Sequence, residues 1–177
     1  MKRLLLLRHA KAEREGPDDR KRGLEKRGEK DSARMGCFLR EDVYIPDLVL
    51  SSDAARTRLT LKFLLPELGA APDVRYLAEL YLAEPELIVS LIRRASDKVG
   101  SLMIVGHNPG LAQCALALAA VPSERKPRKR YDAMDEKFPT CALAVIDFDV
   151  AKWSDVRPAL GDLDTFVRPK DLSPPSS

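Results

Sequence analysis

"LLLLRHAKAE" occupies residues 4–13, four leucines that run directly into Arg8, His9 and Ala10. A strand with one wet face alternates apolar and polar residues, whereas a strand covered on both faces is apolar throughout. The leucine run therefore reads as a strand inside a sheet, with Arg8 and His9 just past its carboxyl end. In open α/β sheets that is where ligands bind. The chain has two histidines, and the second, His107, closes a similar apolar run in "SLMIVGHNPGL" (101–111).

Further apolar runs at 47–51, 73–77 (the weakest) and 142–148 have strand lengths, alongside 3–7 and 101–106. Helical spacing falls between them. Residues 25–41 carry Ala33, Cys37 and Phe38 on one side, and 53–66 carry Leu59, Phe63 and Leu64. Residues 85–98 place Leu87, Leu91 and Ala95 at helical intervals behind Pro85, a first-turn residue, and 110–120 is almost wholly apolar. Strands alternating with helices predict the α/β class, a three-layer architecture with a mostly parallel sheet flanked by helices. "PSERKPRKRYDAMDEKFP" (122–139) reads as a long exposed loop and "SPPSS" (173–177) as a disordered tail, which leaves one domain over 1–172.

Composition narrows the function. Among 177 residues, 30 basic and 27 acidic side chains leave a formal net charge of +3, too little for a nucleic-acid binder. The apolar run after "MKR" stops at Arg8, too short for a signal segment, and no run reaches the length of a membrane span. Cys37, Cys114 and Cys141 are scattered and odd in number, with no C-x-x-C spacing for zinc. Free thiols of this kind suit a reducing, cytoplasmic compartment.

Three polar clusters each follow a strand: Arg8-His9, "SSDAARTR" (51–58) and His107-Asn108. Arg56 lies in the first turn of the helix beginning near Ser52 or Asp53, where backbone N–H groups also favour anions; Arg58 is the alternative guanidinium. Imidazoles, arginines and helix N-termini around one point suit a phosphoryl group. A cysteine phosphatase needs an arginine six positions after its cysteine, but those positions hold Val43, Ala120 and Asp147. "DFDV" (147–150) mimics an aspartate-nucleophile motif but comes late in the chain, and a Walker A loop is absent.

"LLLLRHA" resembles the Arg-His-Gly signature of the histidine phosphatase superfamily, which has the phosphoglycerate-mutase-like fold. "SSDAARTRLT" is similar to its "SP-x-x-R-x-x-Q-T" segment and "VGHNPGL" to its second-histidine motif. The small SixA-type phosphohistidine phosphatases also resemble this chain in "LYLAEPELI" (80–88) and "DTFVRPKDL" (164–172). The resemblance implies that His9 is a nucleophile forming a covalent phosphohistidine, with Arg8, Arg56 and His107 on the phosphoryl oxygens. It further implies pocket roles for Ser52, Asn108 and Arg22, a general acid at Glu79 (Glu84 second), and no metal or cofactor. Ala10, Asp53 and Leu59 depart from the signature. The implied substrate is phosphohistidine on a partner protein. The alternatives are a small phosphoester, as for a small-molecule phosphomonoesterase, and a non-catalytic phosphate-binding protein.

Overall fold

The computed structural model describes residues 1–14 and 16–172, so the tail 173–177 lies outside the described residues. The chain opens with β1 (Lys2–Arg8), α1 (Lys26–Glu41), β2 (Leu48–Ser52), α2 (Ala55–Leu68) and β3 (Asp73–Leu77). It continues through α3 (Pro85–Arg93), β4 (Ser101–Gly106), α4 (Gly110–Leu118), α5 (Arg125–Glu136), β5 (Leu143–Phe148) and β6 (Asp162–Val167). One six-stranded sheet runs in the order β3-β2-β4-β1-β5-β6. The four strands from β3 to β1 pair in parallel; β5 and β6 close the edge antiparallel.

The leucine run explains the layering. Leu4 and Leu6 join a core cluster with Ile88, Leu91, Leu111 and Met134, contributed by α3, α4 and α5. Leu5 and Leu7 point the other way, into a cluster with Met35, Leu39, Leu61 and Leu64 of α1 and α2. All four leucines are fully buried, each contributing about 1.5–3 kcal/mol relative to exposure. Helices α1 and α2 lie so close at Gly36 that a Cβ there would fall 2.3 Å from the Leu64 carbonyl oxygen.

One expectation needs correction. The segment 122–139 is not a plain loop, because α5 occupies its middle. Pro127 falls in the first turn, where no intrahelical N–H bond is required, and Arg128 pairs with Asp132 at 2.7 Å one turn on. Met134 is buried in the core and Tyr131 packs against it, which anchors an otherwise polar helix. Strand β6 was not legible as a strand; it adds to β5 and carries a register shift at Val145/Ile146.

Boundaries also shift. Helix α3 stops at Arg93, short of 98, because the next residues are bonded elsewhere. The Asp97 carbonyl accepts from Lys2 Nζ at 2.6 Å and its carboxylate from the Trp153 backbone N–H at 3.2 Å. Helix α2 runs past Pro66 to Leu68 and ends at Gly69, whose φ of 70° is the left-handed stop that glycine adopts freely. Cys114 and Cys141 are buried and Cys37 is half-buried, all as free thiols. Among the described residues no helix is long and apolar enough to cross a membrane.

Candidate active site

Sheet register brings the two histidines together. In the parallel β1–β4 pair, Arg8 lies opposite Gly106, so the next residues, His9 and His107, leave the sheet at the same level. The His9 N–H donates to the Gly106 carbonyl at 3.1 Å. The imidazole centroids are 5.2 Å apart, with the rings inclined at 51°. In the neighbouring β2–β4 pair, Ser51 faces Val105, which puts Ser52 level with Gly106 and Arg8, one residue before the histidines. The Ser52 hydroxyl meets His107 Nε2 at 2.8 Å and accepts from the Ala54 N–H at 3.3 Å.

The His9 contact assigns its ring proton. The Ala10 carbonyl, 2.8 Å from His9 Nδ1, can only accept, so Nδ1 carries the hydrogen and Nε2 keeps its lone pair. The Ser52 hydroxyl accepts from Ala54 and can either donate to His107 Nε2 or accept from it; when it donates, His107 Nδ1–H is a free donor. Burial pushes the His9 imidazolium down to about 3, with His107, Arg56 and Arg8 adding repulsion. For the same leading reason, followed by Arg56, His107 falls to about 4. Both rings are therefore neutral at physiological pH.

Arg56 is 2% exposed at the start of α2. Its Nη1 donates to the Asp19 carbonyl at 2.8 Å and its Nη2 to the Asp19 carboxylate at 3.1 Å. Arg8 Nη1 and Asn108 Nδ2 both donate to the Phe138 carbonyl, at 3.0 and 2.8 Å. Among the described residues, five buried side-chain polar atoms have no hydrogen-bond partner. Four of them are Arg8 Nε, Arg56 Nε, His107 Nδ1 and Asn108 Oδ1. Folded proteins rarely leave buried donors unpaired, so the Arg8 and Arg56 Nε–H groups beside the unpaired His107 Nδ1 and two neutral imidazoles suit an oxyanion. No group of three or more His, Cys, Asp or Glu that could hold a metal occurs among the described residues.

Arg8, His9, Ser52, Arg56, His107 and Asn108 thus come together. Arg22 reaches the site through Asp19, which its guanidinium meets at 2.8 Å. Arg58 does not enter; it is exposed and stacks over Tyr76 at 3.9 Å. Glu79 is exposed in the turn Ala78–Leu80 and has no hydrogen bond or ion pair among the described residues. Glu84, also exposed, stands at the N-cap of α3.

Three residues that the sequence reading missed complete the site. Asp19 accepts from Tyr81, Arg22 and Arg56, and these bonds, Tyr81 first, hold its carboxyl at about 2. Tyr81 sets its ring edge-on to His107 at 5.5 Å. The Thr60 hydroxyl accepts from the Ala10 N–H at 2.9 Å and donates to the Arg56 carbonyl at 2.7 Å, which ties the His9 loop to α2. Thr60, closing "SSDAARTRLT", and Tyr81, within "LYLAEPELI", lie in segments the sequence marked; Asp19 does not.

No protein-family model matches the chain. It is 34% identical over 165 residues to an uncharacterized protein of Mycobacterium tuberculosis, covering 93% of this chain and 100% of that one. Among solved structures, SixA from Agrobacterium tumefaciens is 32% identical, with a TM-score of 0.77 over 94% of this chain and 97% of that one. SixA from Nakamurella multipartitia is 27% identical, with a TM-score of 0.81 over 95% and 96%.

Proposed function

We propose, for a chain that belongs to the SixA-type branch of the histidine phosphatase superfamily, that it removes the phosphoryl group from phosphohistidine on a protein. Phosphatase chemistry with a histidine nucleophile is the property of that superfamily. The assignment of its parts to this chain rests on the paired neutral imidazoles and the unpaired donors around them.

In this reading the His9 Nε2 lone pair attacks phosphorus in line. A P–N bond forms to His9 as the bond to the leaving group breaks, and the leaving group takes the displaced electron pair. Arg8, Arg56 and His107 Nδ1–H face the equatorial oxygens, where preorganised charge lowers the barrier most. Water then displaces His9, releasing inorganic phosphate and restoring the neutral ring.

One observation favours phosphohistidine over an ester. An alkoxide leaving group needs a proton donor, and among the described residues the carboxyl bonded within the site is Asp19, ionised down to about pH 2. Glu79 is exposed and unengaged. The imidazole of a phosphohistidine can leave already protonated, so it makes no such demand.

The test is direct. The chain and its His9→Ala and Glu79→Gln variants are incubated with a phosphorylated histidine-phosphotransfer domain, with an aryl phosphate and with alkyl phosphate esters. Wild type should discharge the domain, His9→Ala should not, and Glu79→Gln should match wild type on the domain and the aryl phosphate. Discharge by wild type no faster than by His9→Ala refutes the reading; faster turnover of alkyl esters than of the phosphorylated domain favours the small-molecule alternative.

A further inference from the structure

A cleft of about 300 Å³ is lined by Lys11, by Arg27 and Asp31 of α1, by Lys137, Pro139 and Thr140, and by residues 168–170. Five cations line it, Lys11, Arg27, Lys137, Arg168 and Lys170, against one carboxylate, Asp31. The whole chain carries a formal net charge of only +3, so this excess is local. Asp31 is already engaged, with Arg27 at 3.6 Å and Arg34 at 3.5 Å, and Arg168 is held by Asp171 at 2.8 Å. Lys11, Lys137 and Lys170 are exposed and make no ion pair among the described residues. Gathering like charges opposes folding, so the fold's own stability gives no reason for the cluster.

The cleft is joined to the reaction site along the chain. Lys11 follows His9 by two residues, a reach of no more than about 7 Å. Pro139 and Thr140 lie between Phe138, whose carbonyl holds Arg8 and Asn108, and Cys141, whose N–H donates to the Arg8 and His9 carbonyls at 3.1 and 3.0 Å. A small phosphoester ends where its phosphoryl group is held. A polypeptide continues beyond it at about 3.3–3.6 Å per extended residue, so its flanking residues can contact charges outside the phosphoryl seat.

We propose that this cleft binds acidic side chains flanking the phosphorylated residue of a protein substrate. The inference rests on the phosphohistidine-protein reading and adds to it a preference for acidic surroundings. Rim charges of this kind act mainly on encounter, so the effect belongs to kcat/KM at low salt and fades as ionic strength rises.

The experiment uses two phosphohistidine peptides of equal length, one with Asp and Glu two to four residues from the phosphorylated site and one with Ala there. Wild type should prefer the acidic peptide by about tenfold in kcat/KM at low salt, and lose most of that preference at 0.5 M salt. A Lys137→Glu/Lys170→Glu variant should reverse or abolish the preference while hydrolysing an aryl phosphate at the wild-type rate. Binding of both peptides to the His9→Ala protein, read by fluorescence anisotropy, makes the same comparison without turnover. Failure to hydrolyse either peptide counts against the phosphohistidine reading. Equal affinity for the two peptides, or a preference that survives the charge reversal, overturns the cleft.

Discussion

Lowering the pH from 7 to 5 should destabilise this protein by about 4 kcal/mol, and the whole effect is assigned to two side chains. His9 and His107 are held at about 3 and about 4 in the fold, against about 6.5 in an unfolded chain. Because the folded values are depressed, the stability these rings contribute is complete above pH 6.5. It is lost as pH falls from there toward the folded values. Between pH 7 and 5 the unfolded chain takes up roughly 0.7 proton per histidine and the folded chain takes up nearly none, which costs about 2 kcal/mol each. Carboxylates do not confuse the window, since Asp19 at about 2 yields its contribution only below the ordinary carboxylate range near pH 4. Urea unfolding at the two pH values measures the difference. Phosphate buffer must be avoided, because an anion bound to the folded state adds its own linkage. A His107→Gln variant should show about half the dependence. A wild-type difference below about 1 kcal/mol would refute the burial of two neutral imidazoles that the site requires.

Other perturbations probe the supports of the site. Thr60→Val keeps the shape but strands the buried Ala10 N–H, and should cost about 1–3 kcal/mol in thermal or urea unfolding; Thr60→Ser should recover most of it. Equal losses in the two variants would remove the hydroxyl from the argument. At Gly110 a Cβ would sit 1.9 Å from the Ala83 carbonyl oxygen, so Gly110→Ala should cost about 1–3 kcal/mol or more and lower activity by moving the loop that carries His107. Asp19→Ala, which frees the Arg56 guanidinium, should lower kcat/KM on an aryl phosphate about tenfold, with Asp19→Asn retaining most of the rate. An Ala variant as fast as wild type would show that Arg56 needs no such anchor.

What the sequence made legible follows from which signals are local. A leucine run with charge at one end is enough to read β1, its burial on both faces and the rim position of His9. The same logic located His107, and the register of a parallel sheet then had little freedom but to bring the rings together. Helix α5 escaped because its polar face dominates the composition while its anchor, Met134, is one residue. Strand β6 escaped because an edge strand with half-exposed residues lacks the unbroken apolar run that marks its neighbours. Asp19 lies in "DDRKR", where an acidic residue among cations reads as a solvated surface. Its role depends on Arg56 and Tyr81, 37 and 62 positions away, and no spacing rule reaches that far.

The buried thiols have a consequence for the conditions under which the reaction survives. Phosphatases that attack through a thiolate are silenced when peroxide converts their sulfur to sulfenic acid, whereas an imidazole nucleophile offers no such sulfur. Here burial pushes the Cys114 thiol up to about 12 and raises Cys141 further, while burial and Glu67 raise Cys37. Thiols kept protonated react poorly with oxidants. A reaction that runs through His9 is therefore expected to tolerate peroxide that stops a thiolate phosphatase, which an activity assay after peroxide treatment checks.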